Sequence, residues 1–353
     1  MTGGQATTRA ASRSADGLPL PRATFAMNPA SLVGELFDER ALTELRRVAD
    51  IDPGLVLTSL DDEAAQSELA RTEILVAGWD APVITAEQAA RATRLRAVVY
   101  AGGVAATCLE DPAALAARGV VASHARRANA VPVAEYTLAT ILLSGKRAFA
   151  AERHYREHRA APDRSATADI GNYARTVGIV GASHVGRAVL DLLRPFDLDV
   201  VLHDPTLPEE EAQRLGARLL PLDALMAAAD VVSLHQPLTP ATRGQIATRQ
   251  LALMPDGATL VNTARGAVVD QDALVAELRT GRISAVLDVT DPEPLPRASV
   301  LWDLPNVVLT PHIAGSMGRE LRRLGDSVVA EVARFAAGEP FAHPDDLAVS
   351  ARR

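Results

Sequence analysis

The chain has 353 residues, more than one hydrophobic core usually holds, so we expect two domains. Its net charge of −8 and its scattered arginines argue against nucleic acid as a partner, which would need a concentrated basic face. The single cysteine, Cys108, excludes a disulfide framework within the chain and a metal site built from several thiolates.

Residues 1–21 are rich in Thr, Ser, Ala and Gly and have no apolar core of the kind found in signal peptides. We therefore predict a disordered tail. A transit peptide is the alternative, because the tail contains arginine and serine but few acids. No apolar run approaches membrane-spanning length, so we expect no membrane contact and a cytoplasmic location.

Short apolar stretches alternate with helical ones from about residue 23 onward. This alternation predicts an α/β fold with parallel sheets that are covered by helices on both faces. The first series of predicted strands is Ala23–Met27, Leu55–Thr58, Ile74–Ala77, Ala97–Tyr100 and Val120–Ser123. The second series is Val177–Val180, Val200–His203, Val231–Leu234, Thr259–Asn262, Ala285–Asp288 and Val307–Thr310. Six strands suit a nucleotide-binding sheet.

The stretches between and after these series indicate the domain boundaries. A helical stretch, Val133–Arg147, and then a polar segment to Tyr173 separate the two series. A helix from about Arg319 to Ala336 could pack back on the first half and make the first domain discontinuous. We predict a first domain from residues 22–125 and 318–345 and a second from residues 126–317.

The most informative stretch is Gly181-Ala182-Ser183-His184-Val185-Gly186, which follows a β-branched run and opens a helical pattern. A strand that turns at a glycine into a helix presents unpaired N–H groups and a positive dipole end, which suit a pyrophosphate. About 20 residues further on, Asp204 ends a second strand and could accept hydrogen bonds from an adenosine ribose. The combination predicts a dinucleotide site.

The motif is imperfect, because Ser183 stands where the pattern has its central glycine. The same turn could simply connect a strand to a helix without binding a ligand. The position of Asp204, about 20 residues after the turn, favours a dinucleotide site. The G-x-S-x-G elbow of esterases does not fit, because Gly186 comes one residue too late.

Two other chemistries are disfavoured. Schiff-base chemistry would depend on Lys146, the only lysine, which follows an apolar helix where a solvated charge is expected. The stretch from His154 to His158 spells the zinc motif H-x-x-E-H, but its surroundings are polar and no third ligand can be named. We predict no metal site.

Polar residues follow several strands of the second series. Because ligands of open α/β sheets bind outside the carboxyl ends of the strands, these residues are the candidate catalytic set. Arg265 offers a planar fork for a substrate carboxylate, and His312 can give or take a proton near neutral pH. Glu293 could hold the imidazole and favour its protonated form. For each of the three, a purely structural or solvated role is the alternative.

The chain resembles the D-isomer-specific 2-hydroxyacid dehydrogenases in four stretches, namely Asn262–Gly266, Leu287–Val289, Glu293-Pro294 and Thr310–Ile313. The resemblance covers about residues 126–317 strongly and residues 55–125 more loosely. It implies a flavodoxin-like substrate domain, a Rossmann NAD-binding domain and an active site between them. It also implies interconversion of a 2-oxo acid and a D-2-hydroxy acid, and a homodimer, with which the apolar helix Val133–Leu143 is consistent.

The same resemblance implies the roles of individual residues. Arg265 would bind substrate, His312 would be the acid/base and Glu293 its partner. The backbone of Gly102, Gly103 and Val104 would bind the substrate carboxylate. The residues expected to contact the dinucleotide are Gly181, Ser183, His184, Val185, Gly186, Asp204, His235, Pro237, Thr242, Thr263, Ala264, Arg265, Asp288, His312 and Gly315.

Two points concern the choice of ligand. Asp204 would repel a 2′-phosphate and no cation follows it directly, so we predict NAD rather than NADP. The loop after Gly103 lacks the polar residues common in the family, which leaves the substrate open. The alternatives are an NAD(H)-sensing interaction protein on the same scaffold and a dehydrogenase of an inorganic oxyanion such as phosphite.

Overall fold

The computed structural model describes residues 19–161, 163 and 169–350. These form two compact units, one from the described residues up to Asn129 together with those from Ser316 onward, and the other from Ala130–Gly315. Of the tail predicted for residues 1–21, residues 1–18 lie outside the described part, while the carbonyl of Pro21 accepts a hydrogen bond from Asp50 N. None of the described helices is long and apolar enough to cross a membrane.

Thirteen strands lie among the described residues. They are β1 (Arg22–Ala26), β2 (Asp50–Leu57), β3 (Ile74–Ala77), β4 (Ala97–Tyr100), β5 (Val121–His124), β6 (Arg175–Val180), β7 (Leu198–His203), β8 (Arg218–Leu219), β9 (Val231–Leu234), β10 (Thr259–Asn262), β11 (Ser284–Leu287), β12 (Val307–Leu309) and β13 (Pro344–Asp345).

Helices alternate with these strands. They are α1 (Leu32–Leu36), α2 (Glu39–Val48), α3 (Glu63–Arg71), α4 (Ala86–Arg91), α5 (Pro112–Ala117), α6 (Arg126–Gly145), α7 (Ala148–His158), α8 (His184–Leu193), α9 (Glu209–Arg214), α10 (Leu222–Ala228), α11 (Thr248–Leu253), α12 (Gln271–Leu278), α13 (Leu321–Ala336) and α14 (Leu347–Ser350).

The first unit contains a sheet of order β13-β5-β4-β3-β1-β2 among the described strands. All pairs are parallel except β13 with β5. Strands β3 and β4 consist of buried residues throughout, because helices cover both faces of the sheet. Without β13 the order is that of flavodoxin, with the chain reversing direction between β1 and β3.

The second unit contains a fully parallel sheet of order β12-β11-β10-β9-β6-β7-β8. Read from β8, this is the strand order of a Rossmann fold, and the direction of winding reverses between β6 and β9. Apolar residues of both sheet faces form two clusters, one around Val232 and Leu260 and one around Ile179 and Val261. The predicted class, two doubly wound parallel-sheet domains, is confirmed.

Three elements were missed by the sequence analysis. Strands β8 and β13 have two residues each, too few for an alternating or continuous apolar pattern. Part of the segment that we predicted to be merely polar, from Arg147 to Tyr173, is helix α7. None of the α7 side chains is buried, so the apolar stripe by which a helix is usually predicted is missing.

Helix α13 packs against α1 where Gly325 meets Leu36. A Cβ on Gly325 would lie 2.0 Å from the Leu36 carbonyl oxygen, whereas a Cβ on Gly34 in α1 would meet no atom within 4 Å. The two glycines therefore differ in what an added methyl group would do.

We expect Gly325→Ala to lower the free energy of unfolding of the first unit by about 1–3 kcal/mol, because the contact would have to open. Gly34→Ala is the matched control and should raise it by up to about 1 kcal/mol through helix propensity. Trp79 is in the first unit and Trp302 in the second. Urea titration in a Trp302→Phe background therefore reports on the first unit. Equal midpoints for both variants would contradict the proposed contact.

Candidate active site

The carboxyl edge of the second sheet brings the predicted site residues into one row. Strand pairing aligns the last residues of β7, β6, β9, β10, β11 and β12 with one another. The residues that follow these positions are therefore neighbours along the same edge. In sheet order they are Asp204, Gly181, His235, Thr263, Asp288 and Thr310.

The turn from β6 to α8 accepts only glycine at two positions. Gly181 has φ 97°, and a Cβ there would lie 2.6 Å from the backbone nitrogen of Gln236. A Cβ on Gly186 would lie 2.0 Å from the Gly181 carbonyl oxygen. The turn is thus pressed against the start of the loop after β9, as a dinucleotide-binding turn requires.

Ser183 caps the helix that this turn begins. Its hydroxyl oxygen accepts a hydrogen bond of 3.3 Å from Gly186 N, and its backbone is extended, as at a typical N-cap. His184 and Val185 are the first two residues of α8, where backbone N–H groups have no partner within the helix. The serine therefore supplies a cap at the position where the motif usually has glycine.

The Asp204 carboxylate is held at the end of β7 by three donors. One oxygen accepts from Ala182 N at 2.9 Å, and the other accepts from the backbone and hydroxyl groups of Thr206 at 2.9 and 2.7 Å. Burial alone would raise the pKa of Asp204, but these hydrogen bonds outweigh it and lower the pKa. The side chain is therefore a fixed anion beside the glycine turn.

Two buried polar side chains follow β9. His235 contacts the Ser233 hydroxyl through Nε2 at 2.9 Å, and burial lowers its pKa to about 3, which keeps the imidazole neutral. Its Nδ1 and the Gln236 Oε1 are buried and have no hydrogen-bond partner among the described residues. Next along the loop, the Thr242 hydroxyl donates to Pro237 O at 2.6 Å. Unpaired polar atoms beside a glycine turn fit a polar ligand such as a dinucleotide.

Arg265 lies in a loop whose conformation is fixed by the buried side-chain amide of Asn262. The Asn262 side chain accepts from Ala264 N and donates to the Arg265 carbonyl, both at 3.0 Å. A Cβ on Gly266 would lie 2.0 Å from Thr290 O, so this loop lies directly against the one after β11. The guanidinium of Arg265 is exposed and donates to Ala264 O at 2.6 Å. The structure describes no ion pair for it among residues 19–161, 163 and 169–350.

His312 and Glu293 are in direct contact. The distance from His312 Nδ1 to Glu293 Oε1 is 2.6 Å, and the two side chains are 50% and 42% exposed. His312 has φ 55°, a left-handed conformation that is uncommon for a residue with a side chain. Such a backbone needs support from its surroundings.

Asp288 provides that support. One of its carboxylate oxygens accepts from the Thr310 hydroxyl at 2.6 Å and from Ile313 N at 2.9 Å, and the other accepts from Ala314 N at 2.9 Å. Its backbone oxygen accepts from His312 N at 2.9 Å. The resemblance implied that Asp288 contacts the dinucleotide, and the structure shows that its carboxylate accepts hydrogen bonds within the loop that presents His312.

Helix α6 adds a second layer that the sequence analysis missed. The Tyr136 hydroxyl is 2.8 Å from the Thr310 hydroxyl, and the Thr137 hydroxyl is 3.2 Å from that of Thr263. Burial raises the pKa of Tyr136, so the phenol stays protonated and can donate or accept a hydrogen bond. The positions of Tyr136 and Thr137 in the helical pattern did not indicate that they contact loops more than a hundred residues away.

The predicted substrate loop lies in the first unit, after β4. The backbone N–H groups of Gly103 and Val104 have no acceptor among the described residues. The loop is held from the other side by Asp345, which accepts from Ala105 N at 2.7 Å and from Arg126 at 2.8 Å. Arg126 also donates to Gly103 O. Gly315, predicted to contact the dinucleotide, is the last residue of the second unit.

The structure also describes the two features for which a metal or Schiff-base role was disfavoured. The rings of His154 and His158 stack at 4.1 Å on α7, and His158 Nδ1 contacts the His154 carbonyl oxygen. Among the described residues there is no group of three or more His, Cys, Asp or Glu that could hold a metal ion. Lys146 is exposed.

Comparison with known proteins identifies the class. Residues 138–314 match the model of the D-isomer specific 2-hydroxyacid dehydrogenase NAD binding domain. A D-3-phosphoglycerate dehydrogenase of Methanocaldococcus jannaschii is 31% identical over 310 residues, which cover 87% of this chain and 57% of that protein. A glyoxylate reductase of Korarchaeum cryptofilum is 35% identical over 225 residues, covering 63% of this chain and 68% of that protein.

A solved structure agrees with these relatives. The crystal structure of the TT0316 protein from Thermus thermophilus has a TM-score of 0.69 and 30% identity, and covers 92% of this chain and 99% of that one. The chain belongs to the D-isomer specific 2-hydroxyacid dehydrogenase family, and the prediction of an NAD-binding domain is confirmed. It spans about half the length of the phosphoglycerate dehydrogenases that it matches.

We expect Gly186→Ala to weaken NADH binding at least about tenfold, because the added Cβ would push the Gly181 carbonyl out of the turn. Ser183→Gly is the control at the same turn. It should leave NADH affinity within about threefold, since glycine is the usual residue there and costs little as a cap. Fluorescence titration with NADH measures both. Unchanged affinity in Gly186→Ala would show that the dinucleotide binds elsewhere.

Proposed function

We propose that the chain is an NAD-dependent oxidoreductase that interconverts a 2-oxo acid and a D-2-hydroxy acid. The observation that supports this most directly is the contact of 2.6 Å between His312 Nδ1 and Glu293 Oε1 at the sheet edge that also bears the glycine turn. Such a pair is a proton donor with a fixed counter-charge. The exposed Arg265 guanidinium stands on the neighbouring strand end.

In the direction of reduction, each protein group has a distinct task. His312 gives the proton that the substrate oxygen needs as its carbonyl becomes a hydroxyl. Glu293 stabilises the protonated imidazole before that step and fixes its orientation. Arg265 binds the substrate carboxylate through its planar fork and polarises the adjacent carbonyl. NADH, held by the turn between β6 and α8 and by Asp204, would supply the hydride for the new C–H bond at C2.

The surrounding polar network keeps these groups in place. Asp288 fixes the loop on both sides of His312, and Asn262 fixes the loop on both sides of Arg265. Reacting groups that are positioned before the substrate arrives lose less entropy in the reaction. We also propose that the N–H groups of Gly102, Gly103 and Val104 in the first unit bind the substrate carboxylate.

The choice of NAD over NADP depends on Asp204. Its carboxylate is charged near neutral pH, because the hydrogen bonds that it accepts lower its pKa. The ribose 2′-hydroxyl can donate to such an acceptor, whereas a 2′-phosphate would be repelled by it.

We expect His312→Asn to lower turnover of 2-oxo acids by about 10²–10⁴-fold, because the proton donor is lost. NADH affinity should change far less, because only one of the expected dinucleotide contacts is altered. Asparagine tolerates the left-handed backbone at this position, so the loop is preserved. His158→Ala, on exposed α7, is the control and should have normal turnover. Normal turnover in His312→Asn would exclude His312 as the general acid.

A protein that only senses NADH would bind the dinucleotide yet consume none with any 2-oxo acid. An oxyanion dehydrogenase would instead reduce NAD⁺ with phosphite and not with D-2-hydroxy acids. Consumption of NADH by a 2-oxo acid, lost in His312→Asn, supports the proposed function against both.

We expect the ratio of kcat/KM for NADH over NADPH to be about 10² or more in the native chain and to fall at least tenfold in Asp204→Asn, because the repulsion of the 2′-phosphate is removed. Asp199→Asn, an exposed position on the same strand, should leave the ratio unchanged. Steady-state rates with both nucleotides decide this, and a native preference for NADPH would contradict it.

A further inference from the structure

Four loops form one edge of the first sheet. The pairing Leu57–Ala26–Ala77–Tyr100 aligns the carboxyl ends of β2, β1, β3 and β4. Ligands of such sheets bind outside this edge and near the point where the winding reverses, here between β1 and β3. If the proposed function holds, the substrate's side chain meets these loops. They comprise residues 27–31, 58–63, 78–85 and 101–110.

Every charged residue in these loops is acidic. Three of the carboxylates already accept hydrogen bonds within their own loops or at a helix start, namely Asp61, Asp62 and Glu110. Glu63 and Asp80 differ from them, because both are exposed and their carboxylates have no hydrogen-bond or ion-pair partner among the described residues; of the two, Asp80 follows β3, at the reversal of the winding. Its charge contributes to a raised pKa of Tyr100, for which burial is the larger cause.

Aromatic and apolar side chains line the same edge. A Cβ on Gly102 would lie 2.6 Å from Tyr100 Cε1 and 3.2 Å from Trp79 Nε1, so both rings flank the loop with the free N–H groups. Val104, at the end of that loop, is 36% exposed. The loop thus has backbone N–H donors for one carboxylate, and the side chains beside these donors are aromatic or apolar.

Two arginines follow β5, and one is already paired. Arg126 donates to the buried carboxylate of Asp345 and to the Gly103 carbonyl, so its charge is compensated. Arg127 is exposed on the first turn of α6. The cationic charge at this end of the sheet is therefore placed after β5, beside the loop after β4 and not at the β1–β3 reversal.

We propose that the substrate is a 2-oxo acid with one charged group only, whose side chain on C3 and beyond is uncharged and apolar. This inference rests on the proposed function. A second anionic group, such as a phosphate or a second carboxylate, would face the Asp80 carboxylate and the rings of Trp79 and Tyr100, and none of the four loops supplies a cation to compensate it. The substrate would then lack the phosphate that the name of the similar D-3-phosphoglycerate dehydrogenases indicates for theirs.

The test compares substrates that differ in one anionic group. Oxaloacetate and 4-methyl-2-oxopentanoate differ by a carboxylate in place of an isopropyl group, and 3-phosphohydroxypyruvate and hydroxypyruvate differ by the phosphate. With NADH and the native chain, we expect kcat/KM to be at least about tenfold higher for the uncharged member of each pair. A ratio below tenfold in either pair would overturn the inference and leave the proposed function intact. No NADH consumption with any 2-oxo acid would instead contradict the proposed function.

A pair of variants locates the effect. Val104→Lys adds a cation at this edge and should raise kcat/KM for oxaloacetate relative to 4-methyl-2-oxopentanoate at least about tenfold. Val121→Lys makes the same change at a similarly exposed valine at the amino end of β5, and should leave the ratio unchanged. The same rise in both variants would show a general charge effect and overturn the assignment to this edge. An unchanged ratio in Val104→Lys would overturn it as well.

Discussion

The buried carboxylate of Asp288 is the constraint on which the candidate active site depends. It accepts hydrogen bonds from the Thr310 hydroxyl and from the backbone N–H groups of Ile313 and Ala314. These bonds hold both sides of the loop that follows β12. A left-handed backbone at His312 costs free energy and needs this support. Because the Glu293 contact is made through the His312 ring, its geometry also depends on Asp288. A residue expected to contact the dinucleotide thus shapes the loop that presents His312.

Much of the fold could be predicted from the sequence, because its parallel strands are buried on both faces. Ile74–Ala77, Val231–Leu234 and Thr259–Asn262 were predicted with the bounds that the structure has. A continuous apolar run between turn residues is a strong local signal. The two-residue strands β8 and β13 pair with neighbouring strands but are too short to show an apolar pattern, so the local sequence does not predict them.

The site was predictable to the extent that strand ends and motifs define it. The register shows that Asp204, Gly181, Thr263 and Asp288 share one edge, as parallel strands require. The supporting contacts were not predictable, since they join positions far apart in the chain, as Tyr136 and Thr310 do. Ser183 illustrates the same limit. In the sequence it weakens a motif, whereas in the structure its hydroxyl caps helix α8.

The last strand of the chain gives the first unit an unusual dependence. Strand β13 brings Asp345 beneath the loop after β4, where its carboxylate accepts from Ala105 N and from Arg126. The conformation of a loop near the middle of the chain is therefore set by residues some 240 positions later. Proteolytic clipping of the C-terminal segment would remove this anchor and release the loop. Damage at one end of the polypeptide would then alter the loop that is proposed to bind the substrate carboxylate.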